Sequence, residues 1–310
     1  MKLLLLLIMT HLFAFHDSEL EALWSTIDDI NHPTLEDYQR IDRYLATGAR
    51  PYFDLLRYAA PFRPKTMQRI MDFQLLGSGM PIYEQYDFNI DEYTDGRCIL
   101  LYGSSNGIYP DKARKLIHEI EHSGYRGHLL LRIGGFPNTP FGGLKICHVP
   151  YAFKVAFLQE AKTLGFKEIL WIDLAIHPLT DFERVFWEIE QQGYLLTYVG
   201  SLQENDSTHL APAAKALGIT PHLYPQIPHI SSALIGLNMD NAQAAQLLEE
   251  WYRATEAVYP NLTWWPEELS LAVVAWRAGC KPLSWLGDLV CLEDEWHKRG
   301  SVQFYLDALR

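Results

Sequence analysis

From Arg97 onward the sequence alternates between short apolar runs and amphipathic segments, and that rhythm narrows the possible folds more than any other feature of the chain. Residues 97–102 read as a buried strand. Residues 111–123 read as a helix with Ala113, Leu116, Ile117 and Ile120 on one face, and 127–132 as the next strand. A glycine-rich loop over 134–143 leads to an apolar run, 144–149. The spacing then predicts a helix over 152–164, a strand over 168–173, a helix over 179–192 and a strand over 194–199. A stretch with proline and histidine, 220–229, precedes a strand over 230–238, and helices follow over 241–259 and 266–278. Strands separated by crossover helices pair in parallel, so the expected fold is α/β: a Rossmann-like, mostly parallel mixed sheet, doubly wound and flanked by helices.

Upstream the pattern is helical. Leu20, Leu23, Trp24 and Ile27 recur at spacings of three and four, as do Tyr38, Ile41, Tyr44 and Leu45. No strand stands out, so 17–96 is expected to be an N-terminal helical extension ending in the polar stretch 87–96, with the α/β domain over 97–310. Residues 1–16 have the shape of a short signal peptide: Lys2, seven apolar residues from Leu3 to Met9, and a small residue at Ala14 where cleavage can fall. The run is too short to span a bilayer. The expectation is an exported or periplasmic protein without a transmembrane helix; the alternative is a cytoplasmic protein whose first residues form an apolar helix on the core.

With 48% hydrophobic and 21% charged residues, the chain is neither disordered nor a disulfide-dense miniprotein. Its net charge of −12 repels polyanions, and no basic run offsets this, so nucleic acid is not an expected partner. The cysteines, Cys98, Cys147, Cys280 and Cys291, show no CxxC spacing; Cys280 and Cys291 can pair in an oxidising compartment, but buried free thiols are the commoner outcome.

In open parallel sheets ligands bind beyond the carboxyl ends of the strands. Asp173, straight after an apolar strand, is the sharpest candidate, against the plainer role of a turn former. Gly103-Ser-Ser-Asn-Gly107 matches the G-x-S-x-G pattern of a nucleophile elbow, which would make Ser105 a hydrolase nucleophile. Two features oppose that: no glycine-rich oxyanion loop lies upstream, and Ile108, Tyr109 and Pro110 separate the serine from its helix. The same loop, with Ser104 and Ser105, can instead receive a nucleotide base or ribose. Lys154 falls in the first turn of a helix, where a cation is disfavoured by the helix dipole, which hints at an anionic ligand; the plain reading is a lysine snorkelling to solvent. Glu267 and Glu268 follow Trp264, Trp265 and Pro266. They suit both dipole compensation at a helix start and a sugar site, with aromatic stacking and an acid to deprotonate a hydroxyl. His209, His222, His229 and His297 lack the spacing of a zinc cluster.

Across 97–282 the order of elements resembles that of GT-A type glycosyltransferases. The stretch 151–182, from Tyr151 through Lys154 to Asp173 and on to Phe182, is similar to the segment that places the donor in that family. A basic residue opens a helix there, and the next strand ends in an aspartate motif, D-x-D, that carries a divalent metal and the nucleotide diphosphate. An acidic segment follows, of the kind 181–186 supplies. The helix from Pro266 resembles the one bearing the acceptor-side acid. The resemblance implies a glycosyltransferase that moves a sugar from a nucleotide-sugar donor to a hydroxyl on a glycan, lipid or protein acceptor. Lys154 would meet phosphate, Ser104 and Ser105 the nucleotide, Asp173 ribose or metal, and Glu267 or Glu268 would activate the acceptor. One departure matters: Ala175 stands where the second aspartate of D-x-D belongs. A manganese or magnesium ion is therefore in doubt as a cofactor, because such ions take several oxygen ligands. The departure also opens a second function, a catalytically degenerate glycan-binding or scaffolding protein on the same fold.

Overall fold

The computed structural model describes residues 18–46, 73–76, 80–105, 107–179, 181–203, 211–261, 263, 266–283 and 290–292. The signal-like residues 1–14, His209, His297 and the tryptophan pair Trp264 and Trp265 lie outside the described residues. The central sheet comprises β1 (Ile82–Phe88), β2 (Arg97–Gly103), β3 (Gly127–Ile133), β4 (Glu168–Ile172), β6 (Tyr194–Ser201) and β7 (Pro228–Asn238), in the order β1-β3-β2-β4-β7-β6. A separate antiparallel pair is made by β5 (Ile176–Pro178) and β8 (Val290–Leu292).

The mixed α/β sheet is as expected, but its parallel part is confined to the centre. β2 pairs in parallel with β3 and β4, whereas β1, β7 and β6 join by antiparallel pairing. The expectation of a mostly parallel sheet is corrected there. Only a short helix and a 3-10 turn, Pro221–Gln226, lie between β6 and β7 among the described residues, and the chain returns antiparallel to both neighbours. A second correction falls on β1, inside the segment read as all-helical. This edge strand alternates only between exposed and half-buried positions, and its half-buried set, Glu84, Tyr86 and Phe88, includes a charge while Ile82 and Tyr83 are exposed, so no apolar–polar alternation marks it in the sequence.

Alternation within the central strands divides the core into two layers. Cys98, Leu100 and Tyr102 of β2 point to one side, with Ile169 and Trp171 of β4. There they meet α4 (Phe153–Thr163), α7 (Ala242–Glu256) and α8 (Pro266–Arg277), together with Ile41 and Tyr44 of α2 (Leu35–Ala46) and Leu20 of α1 (Ser18–Trp24). The N-terminal helices thus share the core of the α/β domain. Ile99 and Leu101 point to the other side, against α3 (Tyr109–His122) and α5 (Glu183–Gln192). The sheet is buried on both faces, which is why its strands read as continuous apolar runs.

Local chemistry sets the ends of these helices. The Asn241 side chain caps α7 by accepting from the amides of Gln243 and Ala244. Gly193 ends α5 in the left-handed region at φ +83°, and a β-carbon there would overlap the Asn241 side chain at 2.1–2.8 Å, so one glycine serves both a turn and a close approach. α4 is buried at eight successive positions, from Lys154 to Ala161, between the sheet and α7. Any charge on it must find a partner inside the protein. Cys98, Cys147 and Cys280 are buried free thiols, and the side chain of Cys291, the expected partner of Cys280, lies outside the described residues. Among the described residues no helix is long and apolar enough to cross a membrane.

Candidate functional site at the carboxyl end of β4

β4 ends at Ile172, opposite Leu234 of the antiparallel β7, and the Asp173 amide continues the ladder to the Ala233 carbonyl at 2.8 Å. That register brings Ser232 beside the Asp173 loop. Lys154, in the first turn of α4, reaches the same point, and so do Glu267 and Glu268 in the first turn of α8. Four of the six residues singled out in the sequence are therefore brought together.

The geometry is specific. Lys154 Nζ donates to Asp173 Oδ2 at 3.0 Å and to Ser232 Oγ at 2.8 Å, and lies 3.0 Å from Glu267 Oε1. An ammonium has three donors, and Asp173 Oδ2, Ser232 Oγ and the Ser232 carbonyl, at 3.3 Å, accept from it, with Glu267 beside it as an ion-pair partner. Ser232 Oγ, accepting from Lys154, donates its own O–H to Glu267 Oε1 at 2.7 Å. The Ser232 amide donates to Glu268 Oε1 at 3.0 Å, while the other Glu268 oxygen is 2.9 Å from His229 Nε2. The Lys154 side chain is 3% exposed, that of Glu267 8%, of Glu268 13% and of Asp173 32%. Asp173 is the carboxylate that faces outward.

Burial divides the three acids. It pushes Asp173 up against the opposing pull of Lys154, and pushes Glu267 up in the same way, with the nearby Glu268 charge adding to the rise. Burial would lift Glu268 too, but hydrogen bonds from His229 and the Ser232 amide hold it below its ordinary range. Lys154 is also buried, yet Asp173, Glu267 and Glu268 keep its ammonium protonated well above the usual value. One cation faces three acids, so an apolar wall would not replace this network. Tyr151 closes it. Its backbone is in the left-handed region at φ +60°, uncommon for a bulky residue, its ring lies 5.4 Å from Lys154 Nζ, and burial with the Glu267 charge pushes its phenol up to about 12.

Lys154 does not snorkel to solvent: its ammonium is buried among Asp173, Ser232 and Glu267. Ser104 and Ser105 follow β2 on the same edge of the sheet, and Gly103 packs close to Leu174, so the serine loop adjoins the Asp173 loop. Ser105 Oγ is buried with no hydrogen-bond partner among the described residues, and so lacks the base that a hydrolase nucleophile requires. Gly134 holds it in place at φ +70°: a β-carbon there would meet the Leu75 carbonyl at 2.6 Å and Ser105 at 3.1 Å. The acidic segment 181–186 is not part of the cluster through Glu183, which pairs at 3.0 Å with Arg97 at the amino end of β2. His222 is exposed, apart from any histidine cluster among the described residues. Sequence reasoning does not single out Ser232, His229 or Tyr151 as site residues, because a serine and a histidine inside a strand carry no local signal.

A divalent ion does not fit the donors found here. Asp173 Oδ2 is held by an ammonium, the residue two positions on is Ala175, and among the described residues no group of three potential ligands converges at Asp173. Lys154 supplies the positive charge paired with Asp173.

No family model matches the sequence, and no curated protein matches it. Among solved structures the chain is similar to mouse xyloside xylosyltransferase 1 in its apo form, at 13% identity and a TM-score of 0.35 over 69% of this chain and 80% of that one. A likeness of that degree bears on neither activity nor residues.

Proposed function

We propose that this protein is a glycosyltransferase that moves a sugar from a nucleotide-sugar donor to a hydroxyl acceptor without a resident metal at Asp173. The observation that carries the reading is the Lys154–Asp173–Glu267–Ser232 network at the carboxyl end of β4, with Asp173 as its outward member. A carboxylate held above its ordinary range accepts a hydroxyl proton more readily than an unperturbed one, which suits Asp173 to deprotonating the acceptor as the sugar departs from its nucleotide. Lys154, Glu267 and Glu268 then act as positioning residues. This shifts acceptor activation from the glutamates to the aspartate on grounds of exposure. The serine loop, with Ser104 and Ser105, adjoins Asp173 and is the proposed seat of the nucleotide.

The test is a thermal-shift series with UDP, GDP, CMP and their sugars, with and without manganese, followed by turnover assays with whichever donor binds. Stabilisation grows with ligand concentration over the dissociation constant, so millimolar ligand exposes weak binding. A shift with one nucleotide sugar, unchanged by manganese and retained in Asp173→Asn while turnover falls, is the expected result. The missing second acid at Ala175 favours a second reading, a glycan-binding protein on the same fold; a shift with free glycans and none with any nucleotide would establish it. Export rests on residues 1–14, and amino-terminal sequencing of the mature protein decides between an exported and a cytoplasmic location.

A further inference from the structure

The exposed last turn of α3 carries His118-Glu-Ile-Glu-His122. His118, Glu121 and His122 lie on one side of that turn, and one ligand atom from each falls within 4.8 Å of the others. From this arrangement we propose that the turn is a surface binding site for a divalent transition metal such as zinc, separate from the Lys154 network.

The hydrogen bonds already orient the ligands. His122 Nδ1 lies 2.6 Å from the His118 carbonyl oxygen, which can only accept, so Nδ1 carries the proton and Nε2 keeps a lone pair for a metal. His118 Nδ1 and Glu121 Oε2 lie 3.3 Å apart, a separation two ligands of one ion can have, so a metal can take the place of the proton between them. Metal-bound histidines commonly donate their second ring N–H to a backbone carbonyl or a carboxylate, and His122 already makes the carbonyl form of that bond. Glu121 supplies the third ligand. The helix C-terminus, rich in carbonyl oxygens, favours a cation at this end.

Two imidazoles and one carboxylate suit zinc or copper better than magnesium or calcium, and three protein ligands leave a coordination position for water. The neighbouring Glu119 takes no part. Although it stands second in an H-E-x-x-H pattern, its carboxylate is held by His177 at 2.8 Å and lies 3.6 Å from Lys115. The site is therefore proposed for binding and not for metal-assisted hydrolysis.

The test is a calorimetric titration of the full chain with Zn2+ at neutral pH. One equivalent should bind; His118→Ala and His122→Ala should each weaken binding at least tenfold, the double variant should abolish it, and Glu121→Gln should weaken it while Glu119→Gln leaves it unchanged. Lower pH should weaken binding because protons compete for the imidazoles. These side chains are exposed, so circular dichroism should show each variant folded. The absence of binding at about 100 µM free zinc would overturn the proposal, as would binding that survives the double variant, and a loss with Glu119→Gln but not Glu121→Gln would overturn the ligand set.

Discussion

Helix α4 buries two charged side chains, and the two places where it does so are built on opposite principles. Near its carboxyl end Glu160 meets Arg132 of β3 in a two-point ion pair, with Arg132 Nε 2.9 Å from Glu160 Oε2 and Nη2 on Glu160 Oε1. The Asn138 amide adds a bond at 3.1 Å, and the guanidinium lies over Tyr83 at 4.3 Å from the ring centre. One positive charge meets one negative charge, and the pair is closed. At the other end Lys154 faces Asp173, Glu267 and Glu268, an excess of acid that leaves one carboxylate partly open to solvent. Folding alone asks only for balance at a buried charge. The unbalanced end is where a ligand has something to gain.

Substitutions separate the two ends most sharply at the lysine. Lys154→Met should destabilise the fold by about 5 kcal/mol at neutral pH, because three buried acids lose their common cation. That loss should ease towards about pH 5, and the sign follows from linkage. A carboxyl raised in the folded state contributes stability that is complete below its unfolded value and disappears as pH rises through its folded value. Asp173 and Glu267 are already raised, and removing the ammonium raises them further, so acid relieves the variant. Urea denaturation at the two pH values reads this directly, and equal losses at both would break the comparison.

Arg132→Met comes next, with an expected loss of about 3 kcal/mol from the buried carboxylate left behind. Because its pair is structural, ligand-induced thermal shifts should persist in this variant, measured where it remains folded. Asp173→Asn should reverse the pattern. Stability should change by no more than about 1 kcal/mol, the scale of one hydrogen bond. Turnover should fall by about a hundredfold or more, as expected when a general base is removed; unaltered turnover with the identified donor would remove Asp173 from the mechanism. The smallest effect is expected at the surface pair of Arg114 and Glu84, where the Arg114 and Tyr86 hydrogen bonds hold the Glu84 carboxyl down at about 2. At this solvent-screened position Glu84→Gln should cost about 0.5 kcal/mol. Since the Glu84 value is lowered, that contribution is present above the ordinary carboxylate range and is lost as the pH falls towards 2; chemical denaturation across that range measures it.

The central strands were legible because both faces are buried: β2, β3 and β4 coincide with apolar runs, and α3 with its one-sided pattern. β1 was not legible, since its alternation runs only between exposed and half-buried positions and its half-buried set includes Glu84, so no apolar–polar alternation marks it. Pairing direction was unreadable for β7, whose apolar run would look the same in either orientation. In the site, Asp173 showed itself by ending an apolar strand and the glutamates by opening a helix. Ser232 and His229 left no such mark, because their roles arise from the register of β7 against β4.

By itself, then, the sequence determined the strand and helix rhythm, the two-faced burial of the central strands and the residue types at the strand and helix ends, since each depends on neighbours within a turn or a few residues. Only the tertiary structure decided that Lys154, Asp173, Ser232, Glu267 and Glu268, spread across 115 positions from 154 to 268, meet at one point. Burial then raises Asp173 and Glu267, while hydrogen bonds from His229 and the Ser232 amide hold Glu268 down, and both effects depend on what the rest of the chain packs around them.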